Sequence, residues 1–279
     1  MRTVLVVANE TLAGEPLVDR ARAEAAAGEL RVVLCVPRRT PTHGNFTYAD
    51  NVYEAAQVRV DLARGVLREL GIDCIGEVGD PDPYSATMDA IAEYDPDLIL
   101  ISTLPEDKSG WLANSVVERV SNATEIPVEH IVSEQSAGSP FDLTLVVANR
   151  TTNSDELIEE LQKLASSEPA GRERLFVFVV PIEGGDALAA KRARARLTQV
   201  VDRAKAQDMP AAGLIGDPDP YTATMNALAF FDFDAIVIST YPQTRSGWLR
   251  ADLIERVKNS SGLPVDHIVA EPASARSGA

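Results

Sequence analysis

Three short clusters in the first half of the chain have residue types and spacing suited to holding a ligand. They are Ala8-Asn9-Glu10, Ser102-Thr103 and Lys108-Ser109-Gly110, with Val36 closing the second apolar run, 30–36. The second half offers counterparts at Asn149, Ser239-Thr240 and Arg245-Ser246-Gly247. Hydroxyls at strand ends can hold a phosphate or a ribose, and a cation, a hydroxyl and a glycine just before a helix can nest an anion. The same residues have plainer uses, since loop hydroxyls satisfy local backbone groups and the pre-helix triplet can cap a helix with its cation solvated. Both readings stand at this level.

Nothing in the sequence assembles a bond-breaking constellation. The only histidines are His43, His130 and His267, and no serine or carboxylate spacing makes one a catalytic base. His130 and His267 read as strand or interface residues. Asp80 and Asp82, and again Asp217 and Asp219, are too few oxygen ligands for a hard cation, and they suit helix capping instead. No metal is expected. The glycine fingerprints of dinucleotide and P-loop sites and the nucleophile elbow are missing, so no enzymatic activity follows from motifs.

The elements that must position these residues are written twice. Residues 79–134 and 216–271 align without a gap at an offset of 137, with 32 of 56 pairs identical. VLVVANET at 4–11 returns as TLVVANRT at 144–151. A tandem duplication of about 135 residues follows, each copy the size of one domain. The expected limits are 1–136 and 141–271, with 272–279 as a disordered tail. In copy one, valine-rich runs predict buried strands at 3–8, 30–36, 72–78, 98–102 and 127–132. Helical spacing predicts helices at 16–27, 52–70, 83–94 and 111–122, and Asp82-Pro83 is a strong helix start. Copy two predicts strands at 143–148, 175–180, 211–215, 235–239 and 264–269, and helices near 154–166, 186–207, 220–231 and 248–258. Such alternation implies right-handed crossovers and a parallel sheet. The expected fold class is α/β: two tandem doubly wound three-layer α/β/α domains, each with a five-stranded parallel sheet. Such sheets bind ligands beyond the strand ends where the winding reverses, which selects Ala8–Glu10, Val36–Pro37 and Ser102–Leu104.

The net charge is −16, of which −12 falls in residues 1–137. That field repels phosphodiester backbones and anionic lipid, so nucleic acid and membrane are excluded as main partners. No run of 18 apolar residues exists, and the N-terminal apolar run is too short for a signal peptide, so a cytoplasmic protein is expected. Cys35 and Cys74 lie in strand-like runs and read as small buried thiols.

The chain resembles tandem universal stress proteins. The resemblance rests on VLVVANET, on DLILISTLPEDKSGWLANSVVERV and on IPVEHIV, and it spans nearly all of both copies. It implies an adenine-nucleotide binder, with ATP or AMP as ligand, a regulatory role in stress, and dimer formation. Here that dimer would be an intramolecular pair of the two copies through their fifth strands, with a further homodimer open. It also places Ser115 and Val116, within the fourth helix, beside the phosphates. The chain departs from the family pattern where Ser102-Thr103-Leu104-Pro105 stands for a glycine loop, where Asn114-Ser115 and Ala251-Asp252 stand for glycine and serine, and where Asn9 and Asn149 stand for an acidic residue. The alternative is therefore a scaffold that binds proteins and no nucleotide.

Overall fold

The computed structural model describes residues 1–12, 14–40, 49–105, 115–133, 141–167, 172–184, 187–242 and 252–271. The chain separates into two compact units, one built on residues 1–40 and 48–140 and the other on residues 141–279.

The first unit runs β1 (Arg2–Val7), α1 (Glu15–Ala26), β2 (Leu30–Pro37), α2 (Ala49–Glu69), β3 (Asp73–Gly79), α3 (Pro83–Tyr94), β4 (Leu98–Thr103), α4 (Val116–Ala123) and β5 (Val128–Val132). Its strands are all parallel, in the order β3-β2-β1-β4-β5. The second unit runs β6 (Phe141–Val147), a 3-10 turn (Arg150–Asn153), α5 (Asp155–Ser166), β7 (Glu173–Pro181), α6 (Ala187–Lys205), β8 (Ala211–Gly216), α7 (Pro220–Phe230), β9 (Ala235–Thr240), α8 (Leu253–Ser261) and β10 (Val265–Val269). Its order, β10-β9-β6-β7-β8, is the same winding. Both sheets are α/β as the strand–helix alternation requires, and β5 and β10 close one edge of each.

Alternating residues of each central strand feed opposite layers. In the first unit Val4, Val6 and Leu34 pack toward α1 and α2, while Leu5, Val7 and Ile101 pack toward α3 and α4. Burial on both faces explains the unbroken aliphatic runs. The winding reverses between β1 and β4, which are neighbours in the sheet. Their ends, with the end of β2, therefore mark the place where sheets wound in this way form a ligand crevice.

The GDPDPY stretch positions α3 and α7 against the sheet. The Asp82 carboxylate accepts from the Ser85 amide at 3.1 Å, and Asp219 from the Thr222 amide at 2.9 Å. Asp80 and Asp217 each accept from an amide two residues on, at 2.9 Å. All four carboxylates thus serve the turn. A Cβ on Gly79 would come 2.7 Å from that of Ala86, and one on Gly216 would come 2.6 Å from that of Ala223, so the strand and helix approach too closely for any larger residue.

Helix α4 is described from Val116, directly after Ser115 in a left-handed conformation with φ 50°, and helix α8 from Leu253, directly after Asp252 with the same φ of 50°. The starts expected at 111 and 248 lie outside the described residues. Trp111 and Trp248 lie outside the described residues.

Candidate functional site

The crevice of the first unit is built from the loop after β1. Ala8 is fully buried, and its amide donates to the Cys35 carbonyl at 3.3 Å, so it is spent on the sheet. Asn9, 5% exposed, turns its Nδ2 to the Pro37 carbonyl at the end of β2. Among the described residues its Oδ1 has no partner, and neither has the hydroxyl of Thr11, 4% exposed, two residues on. Glu10 forms an ion pair with Arg39 beyond β2. Val36 is fully buried as the last core residue of β2.

The β4 side contributes two buried hydroxyls. Ser102 Oγ lies 3.3 Å from Ser133 Oγ. Thr103 Oγ1 lies 2.8 Å from His130 Nε2, and it also donates to the Leu104 carbonyl at 2.9 Å. With the hydroxyl proton on that carbonyl, His130 serves as the donor. Leu104, next along the chain, is buried. Ser115 is exposed, and Val116 is buried in the core under α4.

The second unit repeats this frame with its polar atoms satisfied more fully. Asn149 Nδ2 donates to the Pro181 carbonyl at 3.1 Å, and its Oδ1 accepts from Arg196 on α6. The Thr151 hydroxyl donates to the Ser239 carbonyl at 3.2 Å, and that of Thr152 to the Asn149 carbonyl at 2.8 Å. Arg150 pairs with Glu183 at 2.8 Å, and the Tyr241 hydroxyl donates to the Arg150 carbonyl at 2.8 Å. Thr240 Oγ1 meets His267 Nε2 at 2.9 Å, as Thr103 meets His130. Burial pushes the His267 imidazole below its ordinary value. Among the described residues the Ser239 hydroxyl is left without a partner at these strand ends, with Ala270 at the counterpart of Ser133.

Ala8, Asn9, Glu10, Val36, Ser102 and Thr103 therefore converge at the strand ends of one unit, and Asn149, Ser239 and Thr240 at those of the other. Lys108, Ser109, Gly110, Arg245, Ser246, Gly247 and His43 lie outside the described residues. Sequence reasoning missed Thr11, Arg39, Glu183, Arg196 and Tyr241. Thr11 and Thr151 were visible as the shared last residue of the VLVVANET echo. The offset of 137 also sets Arg196 opposite Arg59 on α2.

Cys35 is buried and Cys74 is partly buried, both as free thiols. Burial pushes both the Cys35 and the Cys74 thiol up to about 12. Among the described residues no group of histidine, cysteine and carboxylate side chains could hold a metal ion, and no helix is long and apolar enough to cross a membrane.

Comparison with known proteins gives a family. Residues 1–129 match the model of the universal stress protein family. A search of curated proteins returned no match. Similar solved structures include a universal stress protein from Archaeoglobus fulgidus, 16% identical over 96% of both chains with a TM-score of 0.36. One from Pseudomonas aeruginosa is 14% identical over 97% of this chain and 94% of that one, with a TM-score of 0.34. One from Arabidopsis thaliana with AMP bound is 12% identical over 48% of this chain and 93% of that one, with a TM-score of 0.33. Scores this low add no argument to the fold already described. Residues 1–129 thus carry a domain of the universal stress protein family, and the repeat that follows gives a second sheet with the same strand order.

Proposed function

We propose that the crevice of the first unit binds an adenine nucleotide, ATP or AMP, and that the protein is a nucleotide-responsive regulator of the universal stress type. The observation that carries this reading is the pair of unpartnered polar atoms at the switch point, Asn9 Oδ1 and Thr11 Oγ1. Leaving a buried acceptor or hydroxyl unsatisfied costs about 1–3 kcal/mol, and a ligand N–H or hydroxyl at that place would recover it. The carboxamide also suits a nucleobase or ribose better than a phosphate, since its free atom is an acceptor.

Isothermal titration of the full chain with ATP, ADP and AMP tests the proposal, together with mass spectrometry of small molecules released from the purified protein. Binding by the wild type and at least tenfold weaker binding by Asn9→Leu is the expected result. No heat at millimolar nucleotide and no nucleotide in the released fraction overturns it.

A second reading, a scaffold that binds proteins, is favoured by the sheet edges. Val132 on β5 and Val269 on β10 are about half exposed, at 49% and 48%, on strands that end their sheets. An apolar strand edge offers unpaired amides and carbonyls to a partner strand. A partner captured equally with and without nucleotide, and lost in a Val132→Lys variant, distinguishes that reading.

A further inference from the structure

Asn9 and Asn149 hold equivalent positions, yet their Oδ1 atoms differ in what they meet. Asn9 Oδ1 is buried with no donor, whereas Asn149 Oδ1 receives the guanidinium of Arg196. The same guanidinium faces Glu183 at 3.4 Å. Two turns further along α6, Arg203 donates to the Thr152 and Ser154 carbonyls, each at 3.2 Å. The 3-10 turn after β6 is thereby tied to α6 at two points. Arg59 stands at the corresponding point of α2 and has a partner of its own, but it gives nothing to Asn9 Oδ1. The two units therefore differ in which group the helix arginine serves, not in whether an arginine is present.

We infer that Arg196 is a built-in plug: it takes, in the second crevice, the acceptor that the first crevice leaves vacant, so that each chain offers one ligand site and not two. A guanidinium is planar and carries its donors in a fixed fork, so it matches the in-plane lone pairs of a carboxamide. It is already held by the fold, and a ligand competing for Asn149 would have to break a charge-assisted hydrogen bond before making its own. The identity of the ligand rests on the nucleotide reading above, whereas the closure of the second crevice does not.

The test uses the full chain as wild type, Arg196→Ala and Arg196→Lys, with Arg59→Ala as the matched change in the first unit. Amide hydrogen exchange over residues 149–154 reads the closure directly. Exchange there should quicken at least tenfold in Arg196→Ala and by less in Arg196→Lys, while residues 9–12 keep their wild-type rates. Equilibrium dialysis with labelled ATP reads the stoichiometry: one per wild-type chain, abolished by Asn9→Leu, and more than one in Arg196→Ala. Two sites in the wild type, a count that stays at one in both Arg196 variants, or unchanged protection of 149–154 overturns the inference. If the wild type binds no ATP, the nucleotide reading fails and the exchange rates alone decide the plug. If Arg196→Ala does not fold, Arg196→Lys carries the same comparison.

Discussion

Glu10 forms an ion pair with Arg39, and the second unit carries the same bridge with its charges exchanged, from Arg150 to Glu183 at 2.8 Å. In both units the bridge joins the loop after the first strand to the loop after the second, across the crevice. A swap of both partners keeps the attraction, whereas a swap of one places like charges together. Partly exposed pairs of this kind contribute about 0.2–1 kcal/mol. Glu10→Arg should therefore lower stability by about 0.5–1 kcal/mol, with most of it regained in the double variant Glu10→Arg, Arg39→Glu. Urea denaturation of the three chains checks this, and a double variant no more stable than the single one would show that the bridge is not an exchangeable unit.

The Arg119 guanidinium lies 4.1 Å from the centre of the Tyr84 ring, and Arg256 lies 4.1 Å from that of Tyr221. The contact joins the ERV helix to the GDPDPY turn, the two segments that are best preserved between the copies. It also acts on Asp82. Burial pushes that carboxyl up, but the hydrogen bonds from the Ser85 hydroxyl and amide, with the Arg119 charge, hold it below its ordinary value overall. A carboxyl lowered by folding contributes stability that is present above its unfolded value and lost as the pH falls through the folded one. Asp82→Ala should cost about 1 kcal/mol at neutral pH, the usual loss for a helix cap. The cost should shrink below about pH 4, where the unfolded carboxyl takes up its proton. Thermal unfolding of both chains across that range provides the measurement.

The architecture was legible because periodic burial and turn chemistry agree. The aliphatic runs at 98–102 and 211–215 read as strands and are strands, and Asp82-Pro83 and Asp219-Pro220 start their helices where the pattern said. The crevice could be located for the same reason, since strand order fixes where the winding reverses. What each crevice does with its polar atoms was not legible. Asn9 and Asn149 are the same residue after the same strand, and the difference between them is made by a side chain 47 residues downstream, Arg196, for which the first copy also has an arginine. The left-handed backbone just before α4 and α8 was hidden too, because Ser115 and Asp252 do not announce it as a glycine would.

Those two left-handed residues give a stability prediction. Ser115 and Asp252 both have φ of 50°, and neither side chain caps the helix that follows. A non-glycine residue there carries a steric cost of about 1–2 kcal/mol that glycine does not. Glycine in turn loses more chain entropy on folding, so the net gain is smaller. Ser115→Gly and Asp252→Gly should each stabilise their unit by about 0.5–1 kcal/mol. The gain should be larger for Ser115, because aspartate tolerates this conformation better than serine. Denaturation midpoints of the single variants check the sign, and a loss in either would mean that the residue has a partner outside the described structure.

Glu77 makes stability depend on pH. It sits on β3 beneath α3, where the Tyr94 hydroxyl donates to its Oε2 at 3.1 Å. Burial pushes its carboxyl up, Glu93 and Asp89 add to that, and the Tyr94 bond opposes it only in part. A carboxyl raised by folding holds its proton more tightly in the native state. Its stabilising contribution is therefore complete below the unfolded value and fades as the pH rises through the folded one. The second copy has avoided the problem, with Leu214 and Phe231 in the places of Glu77 and Tyr94. Glu77→Gln, which cannot ionise and can still accept from Tyr94, should lose less stability than the wild type as the pH rises from about 4. The difference between the two chains should grow through the folded value and then level off at neutral pH. Parallel urea titrations at a series of pH values provide the measurement, and two curves of equal slope would show that Glu77 ionises in the native state as it does in the unfolded chain.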